Sequence, residues 1–162
     1  MTTLYMMCGL PGAGKTTLAK DLETSQKALR LCPDEWIYPL LETVDDTKEL
    51  DRLRSPVEGL QWDLAKRVLT LGVSVILENG FWAKDERLDL TAQARALGAR
   101  VELYVCDPPL DTLWQRLDKR NRNLKPGTFH VSKEQLELWA SWFQRPEEDE
   151  LRQYDAWHRI TD

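Results

Sequence analysis

Apolar positions along the chain follow two rhythms. Leu4-Tyr5-Met6-Met7-Cys8 and Val73-Ser74-Val75-Ile76-Leu77 are nearly continuous apolar runs, the pattern of strands covered on both faces in a parallel sheet. Ala28-Leu29-Arg30-Leu31-Cys32 reads as another strand, and Arg100 to Cys106 as a fourth, with Val101, Leu103 and Val105 alternating. Between the runs, apolar residues recur at helical spacing. They are Leu18 to Leu22, then Leu60, Leu64, Val68 and Leu71 before Gly72, then the amphipathic stretch Ala83 to Leu97 before Gly98. Leu113, Trp114 and Leu117 share one side of a further helix, and Leu136, Leu138, Trp139 and Phe143 follow a Ser132 cap.

Ser55-Pro56-Val57-Glu58 has Ser at the cap, Pro at the first helical position and Glu at the capping-box position, so a helix is expected to start there. The polar, acidic stretch from Val44 to Arg54 would precede it. Asn121 to Gly127 reads as a mobile tip, Glu147 to Glu150 as solvated acidic surface, and Trp157 to Thr161 as a last edge strand. Strands alternating with helices predict an α/β fold: a mainly parallel sheet with helices on both faces.

Composition narrows the class. The chain has 162 residues, 42% hydrophobic and 30% charged, suited to one domain spanning 1–162. No apolar run approaches the ~20 residues that span a bilayer, and no signal-peptide pattern opens the chain, which predicts a cytoplasmic protein without membrane attachment. Cys8, Cys32 and Cys106 are odd in number and lie in or beside strands, so buried reduced thiols are expected. A net charge of −5 argues against a long nucleic acid and leaves a short oligonucleotide open.

The chemistry starts at Gly9-Leu10-Pro11-Gly12-Ala13-Gly14-Lys15-Thr16, a complete Walker A phosphate motif between a strand and a helix. Its glycines let successive backbone N–H groups face an anion, and the helix adds its positive end. Gly9 to Thr17 are therefore the expected nucleotide-binding residues, with Lys15 on the terminal phosphates and Thr16 on Mg²⁺.

Asp34 and Glu35 come just after the second strand, at the sheet edge where ligands of open α/β sheets bind. Either Asp34 has a task beside the phosphates, or it caps a helix starting near Trp36. Glu78, after the third strand, stands where a P-loop protein places a second Mg²⁺-linked carboxylate, the alternative being a structural hydrogen bond. Asp34, Glu35, Trp36, Asn79, Phe81 and Trp82 are candidate acceptor-pocket residues, with core packing the alternative for the two aromatics after Gly80. Arg116 and Arg120 lie four apart on one helical face in the most basic stretch of the chain, where they can neutralise a transferring phosphoryl group.

Taken together, the P-loop, Pro-Asp-Glu-Trp at 33–36, Glu-Asn-Gly-Phe-Trp at 78–82 and the Arg116/Arg120 helix resemble the small P-loop kinases of the AAA_33 or zeta-toxin-like group. That group includes relatives of the polynucleotide 5′-hydroxyl kinase domain and chloramphenicol phosphotransferase. The resemblance implies a three-layer P-loop NTPase fold, ATP and Mg²⁺, Asp34 as the base that takes the acceptor's proton, and a lid at about 110–130 carrying Arg116 and Arg120. Where the group has Asp after the third strand, this chain has Glu78.

A carboxylate at position 34 repels an incoming phosphate but orients and deprotonates a neutral alcohol. The expected activity is thus transfer of the γ-phosphoryl group of ATP to a hydroxyl of a small-molecule or nucleoside-like acceptor. The alternatives are a polynucleotide or RNA 5′-hydroxyl kinase, for which Lys119 to Lys125 would grip a short strand, and an ATP-binding switch with no acceptor.

Overall fold

The structure, a computed structural model, describes residues 1–162. Its elements run β1 (Thr3–Cys8), α1 (Lys15–Gln26), β2 (Leu29–Leu31), α2 (Pro33–Ile37), a short 3-10 turn (Tyr38–Leu40), α3 (Thr47–Thr70), β3 (Val75–Gly80), α4 (Lys84–Ala96), β4 (Arg100–Cys106), α5 (Leu110–Asn121), α6 (Lys133–Trp142), α7 (Glu148–Leu151) and β5 (Ala156–Ile160). All strand pairs are parallel, in the order β2-β3-β1-β4-β5. No helix is long and apolar enough to cross a membrane.

Strand alternation sorts the core into two layers. Leu4, Met6, Cys8, Val75 and Leu77 join the main cluster with Ala65, Leu69 and Ala94. Tyr5, Met7 and Ile76 face the other way, onto Ala19, Leu22 and Ala28 around α1. Every residue of β1 is buried, as its unbroken apolar run requires. The three cysteines are free and buried, and burial pushes the Cys8 and Cys32 thiols up to about 12, so their reactive thiolates are suppressed.

Two expectations need correction. The third helix starts at Thr47, not at Ser55, and Pro56 lies inside it. Asp46 is the actual cap, its carboxylate accepting from the Glu49 N–H at 3.0 Å. Leu50 and Leu53 pack against Ile37, Val57 and Phe129, and that packing keeps the first turns helical despite the missing proline N–H. The buried face is Val57, Gln61, Ala65 and Leu69, whereas Leu60 is 61% and Leu71 81% exposed.

The second correction concerns the acidic run, which is not all surface. Glu150 is 1% exposed and forms a two-pronged ion pair with the fully buried Arg87 of α4, at 2.6 and 2.8 Å. Tyr154 donates to the same carboxylate at 2.9 Å, and Arg87 also donates to the Phe81 carbonyl at 2.8 Å.

Candidate active site

The P-loop connects β1 to α1 at the C-terminal edge of the sheet. Gly9 donates to the Gly80 carbonyl at 2.9 Å, and a Cβ there would run into the Cys106 carbonyl oxygen. Gly14, with φ of 91°, is the left-handed cap of α1. Within the loop the amides divide. Ala13 donates to the Leu10 carbonyl at 3.2 Å, and Pro11 has no N–H, so neither it nor Ala13 offers an amide to a phosphate. The N–H groups of Gly12, Gly14, Lys15, Thr16 and Thr17 find no acceptor within the protein. They form the concave donor set that an anion fills.

Lys15 is partly buried, and its ammonium donates back to the Leu10 carbonyl at 2.8 Å. Burial lowers its pKa, opposed by nearby acidic groups that include Asp34 and Glu78. Thr16 Oγ1 donates to Glu78 Oε1 at 2.7 Å. The buried Glu78 belongs to β3, where the register against β1 gains a residue between Leu77 and Gly80, a bulge that re-aims the strand end.

The other oxygen of Glu78 accepts from Arg30 Nη1 at 2.5 Å. Arg30 Nη2 reaches both oxygens of Glu35 at 2.9 Å, and Nε reaches Glu23 at 3.3 Å. Sequence reasoning passed over Arg30. Its one signal was an arginine between leucines in a strand.

Asp34 does not cap a helix. Helix α2 begins at Pro33 with Cys32 as its cap, and the Asp34 side chain instead accepts from Arg54 of α3, through Oδ1, at 2.7 Å. Oδ2 makes no hydrogen bond within the protein. The charge of Asp34 acts on Lys15 of α1, Arg54 and Glu58 of α3 and Arg120 of α5, so three other elements converge on it. Arg54 and Glu58, also missed, lie on the stretch whose helical register was misread.

From α5, Arg116 Nη1 donates to the Gly12 carbonyl at 3.4 Å and Arg120 Nη2 to the Phe129 carbonyl at 3.2 Å. Burial lowers the pKa of Arg120, Asp34 opposes that, and its buried Nε has no partner. Asn121 ties the far end of the helix to Val131 through two hydrogen bonds, at 2.7 and 3.1 Å. Beside it, Arg116, Lys119, Arg120, Asn123, Lys125 and Thr128 line an open groove of about 410 Å³.

The suggested acceptor residues scatter. Phe81 is 1% exposed and packs in the main core, so it is not a pocket wall. Trp82 braces the P-loop, its indole N–H donating to the Gly9 carbonyl at 3.1 Å and its ring lying 5.7 Å from that of Trp139. Glu35 is held by Arg30, and Trp36 is 38% exposed on α2. Asn79 Oδ1 is buried without a partner.

Residues 4–146 match the sequence profile of AAA_33, described as an AAA domain. The chain belongs to the AAA_33 family. Among solved structures, a candidate kinase of Chloroflexus aurantiacus J-10-fl is 21% identical with a TM-score of 0.78, covering 99% of this chain and 88% of that one. Kti12 of Chaetomium thermophilum, solved with ADP-AlF3, is 14% identical with a TM-score of 0.69, covering 98% and 88%. A sugar kinase of Janibacter sp. HTCC2649 is 18% identical with a TM-score of 0.69, covering 99% and 86%. No curated protein matches the chain at significance. This AAA_33 protein thus has the α/β P-loop NTPase fold, and its structural neighbours include kinases.

Proposed function

We infer that this protein transfers the γ-phosphoryl group of ATP to a hydroxyl of a small-molecule acceptor. The observation that carries the reading is the position of Asp34, a carboxylate with one free oxygen set among the P-loop lysine, Arg54 and the α5 arginine. A nucleotide switch has no use for a base at that point.

The donor set fits a triphosphate with its metal. The unpaired amides of Gly12 and Gly14 to Thr17 and the Lys15 ammonium would hold the phosphates. Thr16 and Glu78 would hold Mg²⁺, which when bound offsets phosphate charge. Arg30 keeps Glu78 pointed at Thr16. Arg54 fixes Asp34 through Oδ1, leaving Oδ2 to take the acceptor's proton as its oxygen bonds to the γ-phosphorus and the bridging oxygen leaves with ADP. Arg116 and Arg120 neutralise charge on the transferring group.

The basic groove beside α5 favours a second reading, in which it grips the backbone of a 5′-hydroxyl oligonucleotide. γ-Labelled ATP offered with Mg²⁺ to pools of sugars, nucleosides, hydroxylated antibiotics and oligonucleotides tests both. Label in a small-molecule pool, lost in Lys15→Ala and Asp34→Asn, is expected. Asp34→Asn that binds ATP and retains full transfer would sink the role given to Asp34.

A further inference from the structure

The stretch from Glu78 to Trp82 holds the phosphate loop at both of its ends. Glu78 accepts from the Thr16 hydroxyl at 2.7 Å, at the start of α1. At the other end Gly9 is gripped on two sides. Its N–H donates to the Gly80 carbonyl at 2.9 Å, and its carbonyl accepts from the Trp82 indole at 3.1 Å. Both grips depend on a sharp turn through residues 80 and 81. Gly80 has a φ of 84°, and a Cβ there would lie 3.1 Å from Trp82 Nε1 and 3.2 Å from the Gly9 carbonyl oxygen.

Phe81 continues the turn at a φ of 51°, in the left-handed region that disfavours a residue with a Cβ. Such a conformation persists only where the surroundings over-determine it, and strain of this kind gathers at functional sites. The Phe81 ring is packed in the main core, and its carbonyl accepts from Arg87 Nη1 at 2.8 Å and from the Cys8 thiol at 3.4 Å. Arg87 is itself fixed, with Nε and Nη2 on the two oxygens of Glu150, to which Tyr154 also donates. On the far side of the turn, the Trp82 carbonyl accepts from the Gln144 N–H at 2.9 Å. Arg87 and Glu150 make no hydrogen bond to the phosphate loop, yet the carbonyl that Arg87 holds is the pivot of the turn that grips it.

Resting on the nucleotide-binding part of the proposed function, we propose that Trp82 and Arg87 are positioning residues for the phosphate site. Arg87, seated on Glu150, keeps Phe81 left-handed, so that the Trp82 indole holds Gly9 and the loop stands assembled before nucleotide arrives. A loop assembled only part of the time binds ATP more weakly in proportion to that fraction.

The experiment measures the Kd of ATP with Mg²⁺ by calorimetry, and label transfer from γ-labelled ATP to the acceptor pools. The full chain is compared with Trp82→Phe, Glu150→Gln and the double variant. Trp82→Phe removes the indole N–H and keeps an aromatic ring beside Trp139. Glu150→Gln removes the charge that seats Arg87. Tyr154→Phe, which takes one bond from Glu150 and keeps both charges, replaces it should that chain melt below the assay temperature. Trp82→Phe and Glu150→Gln are each expected to raise the Kd roughly fivefold, the worth of one hydrogen bond, and Tyr154→Phe about twofold. Turnover at saturating ATP should stay within about twofold of the parent. The double variant should bind no more than about twofold worse than the weaker single variant, because both act through one turn. Parent affinity in Trp82→Phe would overturn the role of Trp82. Parent affinity in the Glu150 or Tyr154 variant, or losses that multiply in the double variant, would overturn the route through Arg87. The expected pattern of Kd values with no label in any pool would keep the positioning roles and remove the kinase reading. Label transfer with equal Kd values throughout would do the reverse, and a parent chain that binds no nucleotide would overturn both.

Discussion

Replacing Arg87 by methionine strips the buried Glu150 of its counter-charge. Arg87 is 0% and Glu150 1% exposed, so water screens neither. The substitution removes two charged hydrogen bonds of 2.6 and 2.8 Å and leaves the Phe81 carbonyl with only the weak Cys8 thiol donor at 3.4 Å. Removing one partner of a buried pair costs about 3–5 kcal/mol. A domain of this size loses roughly 2–4 °C of Tm per kcal/mol, so a fall of about 6–20 °C is expected. Urea unfolding, followed by circular dichroism, gives the free energy directly. The double variant Arg87→Met/Glu150→Leu removes both charges and is expected to be more stable than the sum of the single losses by about 2 kcal/mol or more. A single variant within about 1 kcal/mol of the parent, or strict additivity, would refute the account of a buried, coupled pair.

Other consequences follow from the same contacts. Burial raises the Glu58 carboxyl from 4.5 to about 7, so the folded state keeps a proton that the unfolded chain releases in that window. Its contribution to stability is full below about pH 4.5 and is lost as pH rises through about 7, by up to about 3 kcal/mol. Glu58→Gln should therefore be stabilising at pH 8 and close to neutral at pH 4, and equal effects at both pH values would contradict this. Arg30→Gln frees Glu78 from its clamp and is expected to raise the Mg²⁺ requirement of turnover about tenfold, with partial rescue by Arg30→Lys. An unchanged Mg²⁺ titration would reduce Arg30 to a structural residue. Gly9→Ala drives a methyl group into the Cys106 carbonyl oxygen, so a loss of about 2 kcal/mol together with weakened ATP binding is expected by thermal shift. An unaltered melting curve would show that the loop has slack there.

Local signals carried far in this protein. Apolar runs over 4–8 and 75–77 determined central strands, because a strand covered on both faces has no polar position. The phosphate motif determined its own loop, since the φ of 91° at Gly14 and the close approach at Gly9 depend on glycine there. The Ser132 cap was legible for the same reason: its hydroxyl accepts from the Gln135 N–H only three residues on.

The rest depended on partners distant in sequence. Ser55-Pro56 has every local mark of a helix start, yet packing of Leu50 and Leu53 on Ile37 and Phe129 carries α3 back to Thr47. Glu150 in an acidic run and Arg87 in an amphipathic helix look solvated until the fold joins them across 63 residues. Asp34 was legible by its place after a strand, but Arg54, 20 residues on, and Arg30, 48 residues from Glu78, were not. The order β2-β3-β1-β4-β5 makes those meetings, because it brings the ends of β2 and β3 beside the P-loop and lays α3 along α2. A charge reveals its partner only where the chain comes back to it, and that return is set by sheet order and helix packing.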